Sequence, residues 1–372
     1  MRERKEPIRI LQIIGKVAGG GVESCILNYY EHIDHERFCF DFVVEGNPLP
    51  YFTETVGKYG GNIYVVTPYR ENIFRYMKDI YRVIRLGHYD IIHSNMNTMA
   101  GFSLLSAKLA GAKIRILHNH ATANKGEGIK TVLKYILRPA AKIFATQYCA
   151  CSEQAAEWMY GKNWRKKCHI IYNAIDTNKF KYNPIIRKQL RKKLQVYPTQ
   201  LVVGHVGRLE YAKNHEFLID VFCELLQWTP NAILLLIGDG ALRDQLQKKV
   251  NTLKIQKQVR FLGIQKNVND WLQAMDLFLF PSWYEGLGLA AIEAQVAGLP
   301  VFMSEYVPRE AKISPNSQFL NIEDGAEFWK QTIIKKWPVV KGRREIKQYG
   351  NYDIHQAVTN LESFYEKIIA LR

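Results

Sequence analysis

Two glutamates in a glycine-rich segment have the spacing of a ligand-binding pair. Glu285 lies in the turn after a predicted strand at 277–280, and Glu293 follows about a turn and a half into the next helix. Carboxylates placed in this way accept hydrogen bonds from hydroxyl groups on separate parts of one ligand. Between them, the backbone N–H groups around Gly288 and Leu289 form a helix N-terminus suited to phosphate. The segment predicts a site for a phosphorylated, hydroxyl-bearing ligand.

A second loop carries two cations. Arg208 and Lys213 follow the predicted strand 201–206, beside the start of a predicted helix. A guanidinium and an ammonium group at that position suit the two phosphates of one diphosphate. For this loop taken alone, a pair of solvated surface side chains is the alternative.

The first half of the chain contributes a glycine loop. Gly19, Gly20 and Gly21 follow the predicted strand 8–14 and precede a predicted helix, which brings backbone N–H groups close to an anion. The loop lacks the third glycine of the dinucleotide fingerprint and the lysine of a Walker motif. A tight turn that merely requires glycine is the alternative.

Two histidines follow another predicted strand of the first half. His118 and His120 come at the end of strand 114–117, and the polar segment 93–95 occupies the equivalent place after the preceding strand. The pair favours a hydrogen bond to substrate over a purely structural role. No Asp, Glu and His cluster has metal-ligand spacing, so no bound metal is predicted.

Strands and helices alternate along the chain, which predicts an α/β fold with parallel sheets covered on both faces. Ligands bind such sheets beyond the carboxyl ends of the strands, where the loops above would lie. The predicted strands are 8–14, 40–44, 62–66, 91–93, 114–117, 143–145 and 169–172 in one series, and 201–206, 233–237, 259–262, 277–280 and 301–303 in a second. A polar stretch separates the series and predicts two domains, 1–177 and 178–354. The segment 355–372 carries apolar residues at helical spacing and needs a docking surface on one of them.

Composition excludes several classes of protein. With 372 residues, 47% apolar and 23% charged, the chain has the balance of a folded globular protein. No run of apolar residues is long enough for a membrane span, and the charged start at 2–6 excludes a signal peptide, so residence in the cytosol is expected. Six cysteines without a Cys-x-x-Cys pair are expected to be reduced thiols.

The chain is strongly basic, with 51 Lys and Arg against 35 Asp and Glu. Residues 125–138 have apolar and cationic side chains on different faces of a predicted helix, which suits an anionic membrane surface. The alternative is a helix that packs on its own domain. The basic cluster 187–193 is predicted to be a solvated linker face. No RNP-like, helix-turn-helix or zinc pattern supports nucleic-acid binding.

Together these motifs resemble retaining glycosyltransferases of the GT-B fold, in family 4 (group 1), most similar to bacterial exopolysaccharide and capsular-polysaccharide transferases. The resemblance covers nearly the whole chain, and its most specific element is the E-x7-E motif from Glu285 to Glu293. The supporting segments are Gly207-Arg208-Leu209, Lys213-Asn214, Gly238-Asp239-Gly240, Phe261-Leu262-Gly263, 19–23 and 172–176. Ala174 departs from the hinge-segment glycine, and 303–310 lacks a glycine pair of many relatives.

The resemblance implies roles for these residues. Glu293 would bind the donor's ribose hydroxyls and Glu285 the donor sugar, while Arg208 and Lys213 would neutralise the diphosphate leaving group with help from the amide of Leu289. His120 would be catalytic and would hydrogen-bond the sugar near the anomeric centre. The other donor-binding positions implied are Gly20, Gly21, Gly238, Gly263, Ile264, Gly286 and Gly288, with Gly263 and Ile264 against the nucleobase.

The resemblance also implies a fold and a reaction. Two Rossmann-like domains would face a cleft, with 1–177 on the acceptor side, 178–354 binding the nucleotide-sugar donor, and helix 355–372 crossing back to the first domain. A UDP-sugar would serve as donor without cofactor or metal, and front-face attack by a growing, lipid-linked glycan would retain configuration at the inner face of the membrane. The alternatives are a nucleotide-sugar epimerase of the same fold and a catalytically silent subunit that binds a nucleotide sugar or supports a partner transferase.

Overall fold

A computed structural model describes residues 6–17, 19–120, 129–340 and 349–371, without the side chains of 129–133 and 338–340. The chain divides into two compact units. Unit 1 comprises residues 1–175 and 351–372, and unit 2 comprises residues 176–350. The boundaries expected from the sequence, after 177 and after 354, lie a few residues further along the chain.

Unit 1 is built on a parallel sheet of seven strands in the order β3-β2-β1-β4-β5-β6-β7. The strands are β1 (Ile8–Lys16), β2 (Phe38–Glu45), β3 (Ile63–Val66), β4 (Ile91–Ser94), β5 (Ile114–Asn119), β6 (Gln147–Ala150) and β7 (Cys168–Ile170). The helices are α1 (Gly21–His32), α2 (Pro50–Lys58), α3 (Ile73–Gly87), α4 (Ala100–Leu109), α5 (Ile129–Phe144), α6 (Glu153–Tyr160) and, from the end of the chain, α14 (Ile354–Ala370).

Both faces of the unit 1 sheet are covered, which explains why its central strands are buried at nearly every position. On β1, Ile10 and Ile14 pack with α1 and α14, whereas Leu11 and Ile13 pack with α3 and α4. The expected return of the terminal helix to the first domain is confirmed, since Tyr365 and its apolar neighbours on α14 lie in this core.

Unit 2 is built on a parallel sheet of six strands in the order β10-β9-β8-β11-β12-β13. The strands are β8 (Val202–Val206), β9 (Ile233–Ile237), β10 (Val259–Gly263), β11 (Leu277–Phe280), β12 (Val301–Ser304) and β13 (Gln318–Leu320). The helices are α7 (Thr177–Phe180), α8 (Pro184–Lys193), α9 (His215–Trp228), α10 (Arg243–Thr252), α11 (Val268–Ala274), α12 (Leu289–Val296) and α13 (Gly325–Val340). No helix in the described ranges is both long and apolar enough to cross a bilayer.

The strand predicted at 143–145 is wrong. Ile143 and Phe144 form the last turn of α5, and the strand that pairs with β5 begins three residues later, at Gln147. Phe144 packs with the core while Ile143 stays exposed, so the short apolar run is the edge of a helical stripe.

The solvated face predicted for the basic cluster 187–193 is also wrong for two of its arginines. Arg187 and Arg191 both contact the carboxylate of Asp276, at 2.5 and 3.0 Å, and donate to backbone carbonyls. Arg191 is only 5% exposed. These arginines therefore anchor α8 to the amino end of the central strand β11.

Candidate functional site

The strand order of unit 2 places its candidate residues at a topological switch point. β8 and β11 are neighbours, and the chain proceeds outward from them in opposite directions, which leaves a crevice at their carboxyl ends. The loops that follow these two strands are joined by a hydrogen bond from the backbone N–H of Trp283 to the carbonyl of Ala212, 2.9 Å long. The sheet therefore brings together the two loops singled out from the sequence.

An ion pair lies across these loops. The Nζ atom of Lys213 is 2.6 Å from Oε1 and 2.8 Å from Oε2 of Glu285. The carboxylate side chain is 8% exposed and the lysine 21%. Beneath them, the ring of Phe280 lies 5.4 Å from the ammonium group. The ammonium group of such a pair can form stronger charge-assisted hydrogen bonds to a phosphate than to a single carboxylate.

Arg208 takes a different place on the same loop. Its guanidinium is 3.0 Å from Glu210, and both side chains are about half exposed. An ion pair this exposed contributes little to stability, so Arg208 is free to turn towards a ligand at low cost. The structure does not pair Arg208 with Lys213 on a common partner.

The helix N-terminus predicted after the glycine turn is present. α12 begins at Leu289, and its N-cap Gly288 has φ +90° and no side-chain cap. A Cβ at Gly288 would lie 3.1 Å from the Phe280 ring, so a side chain there would meet both strain and crowding. Within the described residues no capping side chain accepts from the first backbone N–H groups of α12, which follow Glu285 and Gly286 of the turn.

Glu293 lies on α12, one turn beyond these amides. It is half-buried, and burial raises the pKa of its carboxyl to about 7. No hydrogen-bond or ionic partner for it is found within the described ranges. Hydroxyl donors from a ligand would stabilise its charged form and satisfy its oxygens.

A close approach of backbones shapes the neighbouring part of the site. Gly238 has φ +131°, and a Cβ on it would lie 2.1 Å from the carbonyl oxygen of Gly207. Its N–H donates to the carbonyl of Gly263 over 2.8 Å, which ties the ends of β9 and β10 together. After Gly263, the side chain of Ile264 is 66% exposed and offers an apolar contact at the same edge.

In unit 1, the glycine loop after β1 carries its own internal contact. Gly20 is the N-cap of α1, and its N–H donates to the carboxylate of Glu23, while Gly21 is the first helical residue. This amide is therefore already used, so an anion at the loop would meet the remaining N–H groups of the first turn.

His120 is buried at the carboxyl end of the unit 1 sheet. It is 4% exposed, its ring lies 3.9 Å from that of His118, and its Nε2 is 2.9 Å from Oδ1 of Asn95. Burial lowers the pKa of His120 to about 4, although a hydrogen bond with Asn173 partly offsets this effect by raising the pKa. The imidazole is therefore neutral near pH 7. The spacing of these polar residues along the chain does not indicate that their side chains contact one another.

Comparison with known proteins connects both units to one enzyme family. Residues 19–179 match the model for Glycosyltransferase Family 4, and residues 186–323 match that for Glycosyl transferases group 1. The putative glycosyltransferase EpsF of Bacillus subtilis (strain 168) is 28% identical over 96% of both chains.

Two further curated relatives are similar over most of their length. The UDP-Gal:alpha-D-GlcNAc-diphosphoundecaprenol alpha-1,3-galactosyltransferase of Escherichia coli is 27% identical and covers 82% of this chain and 81% of its own. The capsular polysaccharide biosynthesis glycosyltransferase CapH of Staphylococcus aureus is 24% identical, with 89% of this chain and 88% of its own covered.

A solved structure supports the fold. Anabaena Alr3699/HepE in complex with UDP and glucose has a TM-score of 0.77 and 20% identity, covering 96% of this chain and 99% of that chain. Its likeness and the two parallel sheets identify the GT-B fold. With both halves matched and relatives of similar length, this chain belongs to the family 4 (group 1) glycosyltransferases, a family with members in polysaccharide biosynthesis.

Proposed function

We propose that the protein transfers a hexosyl or N-acetylhexosaminyl group from a UDP-sugar to a lipid-linked glycan, with retention of configuration and without a metal, in bacterial exopolysaccharide or capsule synthesis. The observation that carries this proposal is the Lys213–Glu285 pair at the switch point of unit 2, beside the uncapped N-terminus of α12. A cation and free backbone amides at one edge suit the charge that develops on a departing diphosphate.

Each part of the donor has a matching group in unit 2. The diphosphate would take Lys213 from Glu285 and draw Arg208 from Glu210, which frees the Glu285 carboxylate for the hydroxyl groups of the sugar. Glu293 would accept the ribose hydroxyls, and Ile264 would pack on the base. The uridine and the lipid-linked acceptor are supported by the names of the relatives, one of which uses UDP-Gal and a diphosphoundecaprenol-linked sugar.

Thermal-shift titration with UDP, GDP, ADP and dTDP in EDTA tests the donor site first. We expect UDP to raise the unfolding midpoint more than the other nucleotides, because a ligand that binds only the native state stabilises it. The same titration on Glu293→Gln is expected to lose most of the shift. No shift with any nucleotide at millimolar concentration would contradict the donor site and favour a silent subunit that supports a partner transferase.

A product assay separates transfer from epimerisation. Incubation with a UDP-sugar and a diphosphate-lipid-linked acceptor sugar is expected to give an extended acceptor, with UDP released. Release of an epimerised sugar without any acceptor would identify the epimerase alternative instead.

The acceptor side of the proposal rests on a basic, apolar surface of unit 1, formed by α3, α4 and α5. Phe74 and Leu86 on α3 and Ile143 on α5 are each more than 70% exposed. α3 carries four cations and a single acid, Asp79, which is bound to Thr67. α5 carries four cations and no acid. Exposed apolar side chains among cations suit the interface of an anionic membrane.

The structure changes the expectation for the basic helix at 125–138. Residues 125–128 lie outside the described part of the chain, and α5 is described from Ile129 to Phe144. Its Arg138 donates to the carbonyl of Trp158 and stacks on Tyr135 and Trp158. The surface that we propose for membrane contact therefore includes α3, which the sequence pattern did not single out.

Vesicle sedimentation with matched charge reversals tests this surface. Arg75→Glu with Arg82→Glu on α3 is expected to weaken binding to vesicles containing phosphatidylglycerol by about thirtyfold or more, at roughly 1 kcal/mol per cation. Lys188→Glu with Lys192→Glu on α8 makes the same change in net charge in unit 2, and we expect a much smaller loss. Equal losses from both variants would show that only net charge matters.

A further inference from the structure

A chain of hydrogen bonds links the end of β5 to the helix α14. The Nε2 atom of His120 is 2.9 Å from Oδ1 of Asn95, and Nδ2 of Asn95 is 3.0 Å from Oε1 of Gln12. The Nε2 atom of Gln12 then lies 3.2 Å from the hydroxyl of Tyr365. The middle of β1, the ends of β4 and β5, and one distant helix are thereby connected.

The chain continues and returns to its starting point. The hydroxyl of Tyr365 is 2.8 Å from Nδ1 of His93, and Nε2 of His93 is 3.0 Å from Nδ1 of His118. The ring of His118 lies against that of His120. Each of these side chains is at most 5% exposed. With so little water at these groups, a donor must face an acceptor at each of these hydrogen bonds.

One contact fixes which way Asn95 faces. Its Nδ2 atom is also 3.4 Å from the backbone carbonyl oxygen of His93, and a carbonyl can only accept. The amide NH2 of Asn95 therefore points to that carbonyl and to Gln12, and its oxygen points to His120. An amide oxygen needs a donor opposite it, so Nε2 of His120 must carry the hydrogen.

The same direction follows for the rest of the chain. Gln12 receives a hydrogen bond on its oxygen, so its NH2 donates to the oxygen of Tyr365. The Tyr365 hydrogen is then directed to Nδ1 of His93, and His93 donates from Nε2 to Nδ1 of His118. Burial lowers the pKa of His93 to about 3 and that of His118 in the same direction, which agrees with neutral rings.

We propose that Asn95, held by Gln12 and Tyr365, is a positioning residue that fixes His120 as the Nε2–H tautomer and leaves its Nδ1 as a hydrogen-bond acceptor. Asn173 interacts with the ring of His120, and within the described residues no second side-chain hydrogen bond fixes its amide. Under the proposed function, on which this consequence rests, a substrate group bonded to this imidazole would have to be a hydroxyl donor rather than an acceptor.

NMR of the full chain labelled with 15N-histidine tests the tautomer without any substrate. Long-range proton–nitrogen correlations at pH 7.5 distinguish a protonated from a bare ring nitrogen, and single His substitutions assign the signals. We expect His120 to show a protonated Nε2 and a bare Nδ1. A protonated Nδ1, or two protonated nitrogens, would overturn the proposal.

Substitutions at Asn95 test its role. Asn95→Leu removes both hydrogen-bonding atoms, and we expect a mixture of His120 tautomers, whereas Asn95→Asp keeps the acceptor and the Nε2–H form. Asn95→Asp is also expected to raise the pKa of His120 in an NMR titration, because a carboxylate would face Nε2. Ser103→Ala is the matched control, since it removes a buried hydrogen bond to Ser94 without contacting the histidines.

The outcomes separate this proposal from the proposed function. If Asn95→Leu leaves the His120 tautomer unchanged, or Asn95→Asp leaves its pKa unchanged, the positioning role is refuted. A wild-type protein that transfers no sugar but shows the expected tautomer would refute the proposed function and leave the Asn95 assignment intact. If transfer occurs, we expect Asn95→Leu to lower kcat by about a hundredfold, and Ser103→Ala to leave it near the wild-type value.

Discussion

The polar side chains at the carboxyl edges of the two sheets differ in charge and in exposure to solvent. At the edge of unit 2, Lys213, Glu285 and Arg208 keep their charges in ion pairs that solvent reaches on at least one side. At the edge of unit 1, His93 and His120 are buried and neutral within a chain of hydrogen bonds. Parallel sheets of the same kind therefore support one edge that can exchange ionic partners and one whose polar groups are fixed in place.

Under the proposed function, this difference predicts a division of work between the units. A leaving diphosphate carries charge that has to be met by charge, and unit 2 offers cations and free helix amides for it. An acceptor hydroxyl or a sugar is neutral, and directional hydrogen bonds from fixed groups suit it better. The loop chemistry, rather than the fold, distinguishes the two halves.

The largest effect is expected from removing the central cation of unit 2. Lys213→Ala should lower kcat/KM for transfer by roughly 10²- to 10³-fold, the usual loss when a group that stabilises developing negative charge is removed. Steady-state assays of UDP release measure it. Lys249→Ala is the matched control, because Lys249 forms a 2.6 Å ion pair with Asp220 away from the edge. Similar transfer rates in both variants would contradict a role for Lys213 in stabilising the charge of the leaving diphosphate.

Alanine substitutions of one glycine in each unit should change the free energy of unfolding in opposite directions. At Gly238, alanine would meet the carbonyl of Gly207 and a strained φ, so Gly238→Ala is expected to lower the free energy of unfolding of unit 2 by about 2 kcal/mol or more. Gly57 lies inside α2, where a methyl group would meet nothing within 4 Å beyond its chain neighbours and the helix's own backbone, and Gly57→Ala should stabilise unit 1 by about 0.5–1 kcal/mol. Urea unfolding of each variant measures both changes, and a neutral Gly238→Ala would contradict the close approach of the two loops.

Acid should weaken unit 1 more than unit 2. Buried histidines with lowered pKa values stay neutral in the native state and gain protons in the unfolded state, so stability falls as pH drops below about 6.5. Between pH 7.5 and 5.5 each contributes a loss of about 1.4 kcal/mol. The buried histidines concerned are His93, His118 and His120 in unit 1, and His205 and His215 in unit 2.

One carboxyl in each unit acts in the opposite direction. Burial raises the pKa of Glu45 in unit 1 and of Glu293 in unit 2 to about 7, and each therefore adds stability as the pH falls towards 4.5. Because the two carboxyls add similar stability to each unit, they do not change the difference in acid sensitivity between the units. Proteolysis in graded urea at pH 7.5 and 5.5, with fragments assigned by mass spectrometry, reports each unit separately. An equal loss in both units would show that the histidine cluster does not set the pH response.

Local patterns were enough to predict the alternating elements and the E-x7-E segment, because strand loops and glycine turns are encoded by neighbouring residues. Asn95 and Tyr365 show which features local patterns did not predict. Tyr365 is spaced like a core residue of its helix, and its partner Gln12 lies 353 positions away in the chain. The pairing of Arg187 with Asp276 was missed for the same reason, and the run at 143–145 was too short to distinguish a helix end from a strand. Tertiary contacts decided each of these cases.

The return of α14 to unit 1 has a consequence for biosynthesis. The core of unit 1 includes Ile354, Leu361 and Tyr365, which follow the whole of unit 2 in the chain. On the ribosome, unit 2 can complete its core while unit 1 still lacks one of its packing helices, so the unit made first is the one finished last. During that interval the side chains of α1 and β2 that pack on α14, such as Phe38 and Phe40 against Tyr365, lack this partner. A chain stopped near residue 350 would be a substrate for chaperones and proteases.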